Sequence, residues 1–381
     1  MTDTSINYYQ LAEKIKAWGK ELGFQQVGIS DIDLSDQEAP FLTWLEKGLH
    51  GNMEFMARHG LKRCRPAELL PGTLSVVSVR MDYLPPNASF ATNLSNPDTA
   101  YISRYALGRD YHKVLRNQLK KLGEKIAEEI DDQDMVFRPF VDSAPVLERP
   151  LAEKAGLGWT GKHSLILNQD AGSWFFLGEL FLPIQLPTDK KVEEQCGSCV
   201  ACMTICPTQA ITAPYTVDSN RCISYLTIEL KEAIPVEFRE AMGNRIYGCD
   251  DCQLICPWNR HAEITKQPDF MPRDALHNPD LLNLWEWTEA QFLKTTEGSP
   301  IRRIGYECWT RNIAVGLGNA PYSVAVVSAL QDKLGQISPM VDEHIEWALT
   351  QQHKKAAEAG VENRKLKRLI KAVKVGLPRD A

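Results

Sequence analysis

Four cysteines fall within eleven positions of one stretch, EEQCGSCVACMTICPTQAI, residues 193–211: Cys196, Cys199, Cys202 and Cys206, with Pro207 directly after. So many thiols in so short a span must close disulfides, bind zinc or hold an iron–sulfur cluster. The compartment narrows these options. The first residues, MTDTSINYYQ, carry no basic region followed by an apolar block, so no export signal and a cytosolic location are expected. Cytosolic thiols stay reduced, and clustered cysteines there read as ligands.

Spacing decides what they ligate. Cys196-x2-Cys199-x2-Cys202-x3-Cys206-Pro207 is the run by which bacterial two-cluster ferredoxins hold their iron–sulfur cubes. Tight x2 loops let backbone N–H groups point at sulfur, and three thiolates reach three corners of one cube. The fourth cysteine ligates a different cube, so a second run is required. It is present as GCDDCQLICPWN, with Cys249, Cys252, Cys256 and Pro257. Aligned on its Cys-Pro end, this run lacks its first ligand, because Ile246 stands there. Cys222, in NRCISYLTIE, is the nearest spare. One [4Fe–4S] cluster then takes Cys196, Cys199, Cys202 and Cys256, and the other takes Cys222, Cys249, Cys252 and Cys206. Cys64 and Cys308 are left as small core residues. Structural zinc needs only paired C-x2-C knuckles and gives no reason for the third x2 cysteine or for the prolines. The C-x3-C-x2-C of a radical enzyme would need cysteine at 209 or 259, where Gln209 and Asn259 stand.

Two such clusters pass electrons singly and need a terminus. About 190 residues precede the runs and about 120 follow, so the electrons are expected to reach chemistry within this chain. INYYQLAEKIKAWGKELGF reads as an amphipathic helix with Leu11, Ile15 and Leu22 on one side. Residues 74–84, 134–142 and 163–168 read as strands, with a long helix over 111–130. The run WFFLGELFL, 174–182, is too short for a membrane span and is broken by Glu179, so it reads as a buried strand. The pattern predicts an α/β fold: a mixed sheet flanked by helices over 1–187, an inserted ferredoxin-like two-cluster module over 188–272, and an all-α, HEAT-like domain over 273–381.

AGLGWTGKHS contains Gly156-x-Gly158-x-x-Gly161-Lys162, the letters of a dinucleotide fingerprint. That motif needs a strand before the glycines and a helix after. Here a helical ERPLAEKA precedes and a strand follows, so nicotinamide and ATP are excluded. The glycines read instead as backbone lying against a large flat ligand. Upstream, the strand over 134–142 ends at Asp142. Such a carboxylate is either a proton donor, if burial raises its pKa, or a cap on the next helix.

VDSAPVLERPLAEKAGLGWTGKHS, the two cysteine runs, RCISYLTIE, GCDDCQ followed by CPWN, and HGNMEFMARHG together resemble the epoxyqueuosine reductase family across nearly the whole chain. The resemblance implies reduction of the epoxide of epoxyqueuosine at the tRNA wobble base, with base-off cobalamin fed by two [4Fe–4S] clusters, on a fold related to reductive dehalogenases. It implies that Asp142 is the proton donor. It also implies that Arg58, Lys162, Ser164, Ser224 and Asp250 join Asp142 in lining the corrinoid or the target base, and that Tyr225, Thr227 and Glu229 meet tRNA. Many members carry His after TIE, whereas Leu230 stands here, so no role passes to that position.

Two rival readings stay open on the residues: a cobalamin-dependent reductive dehalogenase of a small molecule, and an electron-transfer module serving another enzyme. The formal charge of −6 offers no molecule-wide attraction to nucleic acid. The tail from 354 to 381, however, carries nine Lys or Arg against three acids. Arg364, Lys367, Lys371 and Lys374 share one helical side, and Leu366, Leu369, Ile370 and Val373 form an apolar side suited to docking on the preceding helices. This tail is expected to touch tRNA phosphates. An external electron donor is also implied. No membrane contact or obligate oligomer is expected.

Overall fold

The computed structural model describes residues 6–357 and 363–376. It divides into two compact units, each assembled from separate segments. The first comprises 1–84, 111–199 and 261–267; the second comprises 85–110, 200–260 and 268–381. The units therefore cut across the three consecutive domains read from the sequence. Cys196 and Cys199 belong to the first unit, and the other six ligand candidates belong to the second.

The first unit is built on a four-stranded sheet ordered Gln26–Ser30, Ser75–Asp82, Phe175–Leu182, Arg138–Phe140. Each neighbouring pair runs antiparallel, so the expected mixed sheet is antiparallel throughout. Ser75–Asp82 is buried at all eight positions, which suits its valine-rich composition to a strand covered on both faces. The Tyr8–Glu21 helix starts where the Asn7 side chain accepts from the Tyr9 and Gln10 N–H groups, and it buries Leu11, Ala12 and Ile15. The Tyr111–Glu129 helix buries Val114, Leu115, Leu119, Leu122 and Ile126 at three- and four-residue spacing. Each such side chain contributes roughly 1.5–3 kcal/mol on burial. Gly178 lets that helix approach, because a Cβ there would lie 2.9 Å from Leu119 Cδ1.

The glycine motif has a packing role. The chain runs from the Glu148–Lys154 helix into a hairpin, Trp159–Thr160 paired with Ile166–Leu167. A Cβ on Gly158 would sit 2.0 Å from the Leu167 carbonyl oxygen, and one on Gly156 would sit 2.6 Å from that of Lys190. Gly156 and Gly158 thus make room for neighbouring protein backbone. The helix-then-strand order agrees with the exclusion of nicotinamide.

In the second unit every regular element after Tyr247 is helical among the described residues. The Gly305–Asn319 and Pro339–Ala357 helices pack through Trp309, Ile313, Ala314 and Leu317 against Val341, Ile345 and Ala348. The same Gly305–Asn319 helix grips the cysteine-bearing segment. Arg311, fully buried, donates to the carbonyls of Leu226 (2.8 Å) and Leu230 (2.9 Å). Asn312 donates to those of Thr227 (2.8 Å) and Ile246 (2.9 Å). Buried polar groups persist only when bonded in this way. These bonds explain why the cluster segment belongs with the helical end of the chain. Among the described residues no helix is long and apolar enough to cross a membrane.

Candidate active site and cluster ligands

No disulfide joins any of the ten cysteines. In the second unit, Cys252 lies within electrostatic reach of Cys222, Cys206 and Cys202; burial first, and those thiols next, push its own thiol well up. The Ala210 N–H donates to Cys206 Sγ at 3.2 Å. At the start of the Ile223–Ile228 helix, the N–H groups of Tyr225 and Ser224 and the Ser224 hydroxyl are aimed at the Cys222 sulfur. A helix start that presents N–H groups to sulfur favours the thiolate a cluster requires. No group of three or more His, Cys, Asp or Glu side chains is gathered tightly enough for one metal ion among the described residues. A four-iron cube spreads its thiolates wider than one ion does.

In the first unit the Cys196 sulfur faces the Trp159 indole N–H and the Lys162 backbone N–H. The Lys162 ammonium donates to the carbonyls of Gly197 and Cys199, the latter at 3.0 Å. Lys162 therefore anchors the first cysteine loop.

Asp142 follows the short Arg138–Phe140 strand, at the centre of a three-residue turn closed by Ser143 N–H donating to Val141 C=O at 2.6 Å. Its φ is +52°, a region that costs free energy in a non-glycine residue. Tyr111, His112 and Glu148 hold it there. The Tyr111 hydroxyl donates to Asp142 Oδ2 at 2.8 Å, His112 Nε2 lies 3.1 Å from the same oxygen, and the Asp142 N–H donates to Glu148 Oε1 at 2.5 Å. The next helix begins only at Glu148, with Leu147 at its cap position, so Asp142 is not a helix cap. Nor is it buried: its side chain is 58% exposed. Burial by the protein is therefore not what would keep it protonated.

The remaining nominated residues divide. Arg58 is exposed. Ser164, at φ +67°, uses its carbonyl to accept from Arg149. Asp250 is buried and accepts from Tyr101 Oη (2.8 Å), Ser103 Oγ (2.5 Å) and Arg104 N–H (3.1 Å). Tyr225 is buried at the edge of the Cys222 helix. Thr227 is fully buried; its hydroxyl donates to Ile223 C=O at 2.7 Å and accepts from Gly248 N–H at 2.9 Å. A tRNA contact by Thr227 is thereby corrected, since the side chain braces the loop leading to Cys249. Glu229 is half-buried and accepts from both arms of Arg303, at 3.0 and 2.7 Å.

Comparisons with known proteins bear directly on this arrangement. A family model described as "Epoxyqueuosine reductase QueG, DUF1730" matches residues 63–143, and one described as "4Fe-4S double cluster binding domain" matches residues 195–259. The chain is 64% identical over 378 residues to an epoxyqueuosine reductase of Salmonella typhimurium, spanning 99% of this chain and 98% of that protein. It is 61% identical over 376 residues to one of Vibrio cholerae, spanning 99% and 100%. The chain belongs to the epoxyqueuosine reductase family. A solved selenomethionine-labelled epoxyqueuosine reductase superposes with TM-score 0.83 at 26% identity, covering 97% of this chain and 100% of that one. Another, solved with a tRNA-Tyr epoxyqueuosine-modified stem loop, superposes with TM-score 0.78 at 26% identity over the same shares.

The chain is thus an oxidoreductase of that family with a 4Fe-4S double-cluster binding domain. The cysteines and their N–H donors fit such clusters. Of the residues assigned to cobalamin, Arg58 and Asp142 are exposed, Asp142 being held by Tyr111 and His112, and Lys162, Ser224 and Asp250 also bond to protein groups. The sequence reading missed Tyr111, His112 and Glu148 beside Asp142. It also missed Glu179, although a lone carboxylate in an otherwise apolar strand was a visible signal.

Proposed function

We propose that this chain reduces the epoxide of epoxyqueuosine in a tRNA anticodon, with Asp142 as proton donor and electrons entering through the two [4Fe–4S] clusters. The observation that carries the reading is the strained turn that offers the Asp142 carboxyl to solvent while Tyr111, His112 and Glu148 hold it. A relative crystallised with a modified tRNA stem loop supports tRNA as the substrate. Conversion of the epoxide to an alkene breaks both C–O bonds, consumes two electrons and two protons, and releases water. An external one-electron donor supplies the electrons, and the acid proton of Asp142 goes to the departing oxygen. Cobalamin supplies the two-electron reductant chemistry when bound. Cys196, Cys199, Cys202 and Cys256 hold one cluster, and Cys222, Cys249, Cys252 and Cys206 hold the other. Tyr225 and the Glu229–Arg303 pair meet the substrate backbone, with the exposed guanidinium of Arg303 turned to phosphate. Reduction of a modified tRNA base is in keeping with a cytoplasmic location.

The reading is tested by anaerobic incubation of the holoenzyme with a reductant and an epoxyqueuosine-bearing anticodon stem loop, followed by nucleoside mass analysis. Loss of one oxygen from the modified base is expected. Inertness toward the stem loop, together with turnover of a halogenated aromatic, would favour the small-molecule reductase instead. Full-length identity of 64% to named epoxyqueuosine reductases weighs against that outcome.

A further inference from the structure

Beneath the Asp142 turn lies a carboxyl that the proposed chemistry does not use. Glu179 sits in the Phe175–Leu182 strand, opposite Phe140 on one neighbour and Ser78 on the other, and is 0% exposed. Neither of its oxygens receives an N–H or O–H from a protein donor. The side chain within hydrogen-bond reach is the Glu148 carboxyl. Two carboxylates cannot hydrogen-bond without a proton between them, and two charges at this depth would be prohibitive. Glu148 must also keep an oxygen free to accept the Asp142 N–H. One proton on the pair satisfies both requirements. Burial, then the neighbouring carboxylates, push both glutamates up from their ordinary range.

We infer that Glu148 and Glu179 form a buried carboxyl pair, holding one proton and one negative charge, that positions Asp142 in its strained turn and favours its acid form. Glu148 acts on Asp142 in two ways. Its oxygen pins the backbone N–H, and the charge of the pair, beside an exposed Asp, opposes a second charge there. With Asp142 in its acid form, the acid hydroxyl donates to His112 Nε2 while the Tyr111 hydroxyl still donates to the same oxygen. The other charged groups facing this cluster are Arg63, felt by Asp142 and Glu148 and tied to the carbonyls of Phe55 (2.6 Å) and Met56 (3.1 Å); Arg149, next to Glu148; and Arg116, whose guanidinium donates to Ser143 Oγ at 3.2 Å. The arginines and any imidazolium at His112 favour the charged form of Asp142, so the pair supplies the opposing term. The inference rests on the reading of Asp142 as proton donor, and it makes Glu148 and Glu179 positioning residues.

Glu148→Gln keeps an oxygen for the Asp142 N–H but removes the negative charge. Asp142 then loses its proton at lower pH, so the alkaline limb of the kcat–pH profile should move down by roughly one unit, with KM for tRNA unchanged. Glu179→Gln, which leaves Glu148 as the charged partner, should leave that limb much nearer wild type. Infrared difference spectroscopy on the holoenzyme gives a readout independent of turnover. The carbonyl stretch of a protonated, solvent-shielded carboxylic acid should be present at neutral pH, persist in Asp142→Asn, and vanish in Glu179→Gln. If Asp142→Asn keeps near-normal turnover while the infrared band is present, the donor reading fails but the pair stands. If Glu148→Gln leaves the pH profile unmoved, or no such band exists, the pair has no such role.

Discussion

The Tyr111 hydroxyl donates to Asp142 Oδ2 at 2.8 Å, while the Tyr111 ring stacks on Phe176 with centroids 4.0 Å apart and planes 4° from parallel. That ring also stacks on His112, with centroids 4.2 Å apart. An exposed carboxyl is thereby fixed by side chains that are themselves held by packing, which is the requirement for proton delivery to one point in space.

Asp142→Asn should retain both clusters and cobalamin, seen in the anaerobic optical spectrum, yet lose about 10²–10⁴ in turnover, the usual cost of removing a general acid. Normal turnover at neutral pH would reduce Asp142 to a turn residue.

Cys256→Ala should damage the cluster held by Cys196, Cys199 and Cys202, although position 256 lies in the other run. Electron paramagnetic resonance of the reduced protein separates the two clusters. A spectrum in which only the Cys222 cluster is lost would overturn the crossed assignment.

Ser224→Ala removes a hydroxyl aimed at the Cys222 sulfur. Hydrogen bonds to ligand sulfur stabilise the reduced, more negative cluster. The midpoint potential of that cluster should fall by the worth of one hydrogen bond, about 1 kcal/mol or roughly 40 mV for one electron. Redox titration would read this, and an unchanged potential would show that the hydroxyl points elsewhere in the loaded protein.

The Arg364–Gly376 helix buries Leu369 and Val373, and leaves Arg364, Lys367, Lys371 and Lys374 exposed. It packs mainly on the Phe90–Ser95 and Asp251–Leu254 helices rather than on the helices just before it in the chain. Lys354 and Lys355 of the basic tail close the Pro339–Ala357 helix, and 358–362 and 377–381 lie outside the described residues. Neutralising those four side chains should weaken tRNA binding and flatten the slope of log K against log salt by roughly 3–4, at about 0.7–0.9 per phosphate contact. Turnover at saturating tRNA should hardly change. A wild-type slope in that variant would leave the helix as a solvated basic face.

Local chemistry was legible in the sequence. Cys249 and Cys252, or Leu115 and Leu119, are related by spacing along one short segment, so covalent geometry alone brings them to one loop or one helix face. The ligand spacing, the Tyr111–Glu129 helix and the buried Phe175–Leu182 strand could be read for that reason. Tertiary structure decided what depends on segments distant in sequence. Glu179 meets Glu148 because the strand carrying Glu179 lies beside the strand that leads into the Asp142 turn. Thr227 turns inward because Arg311 and Asn312, some eighty-five residues on, take the carbonyls around it. Two units built from interleaved segments arise in the same way. Burial and partner choice are properties of the packed chain, and a carboxylate or hydroxyl has the same letter whether it faces substrate or holds the wall behind it.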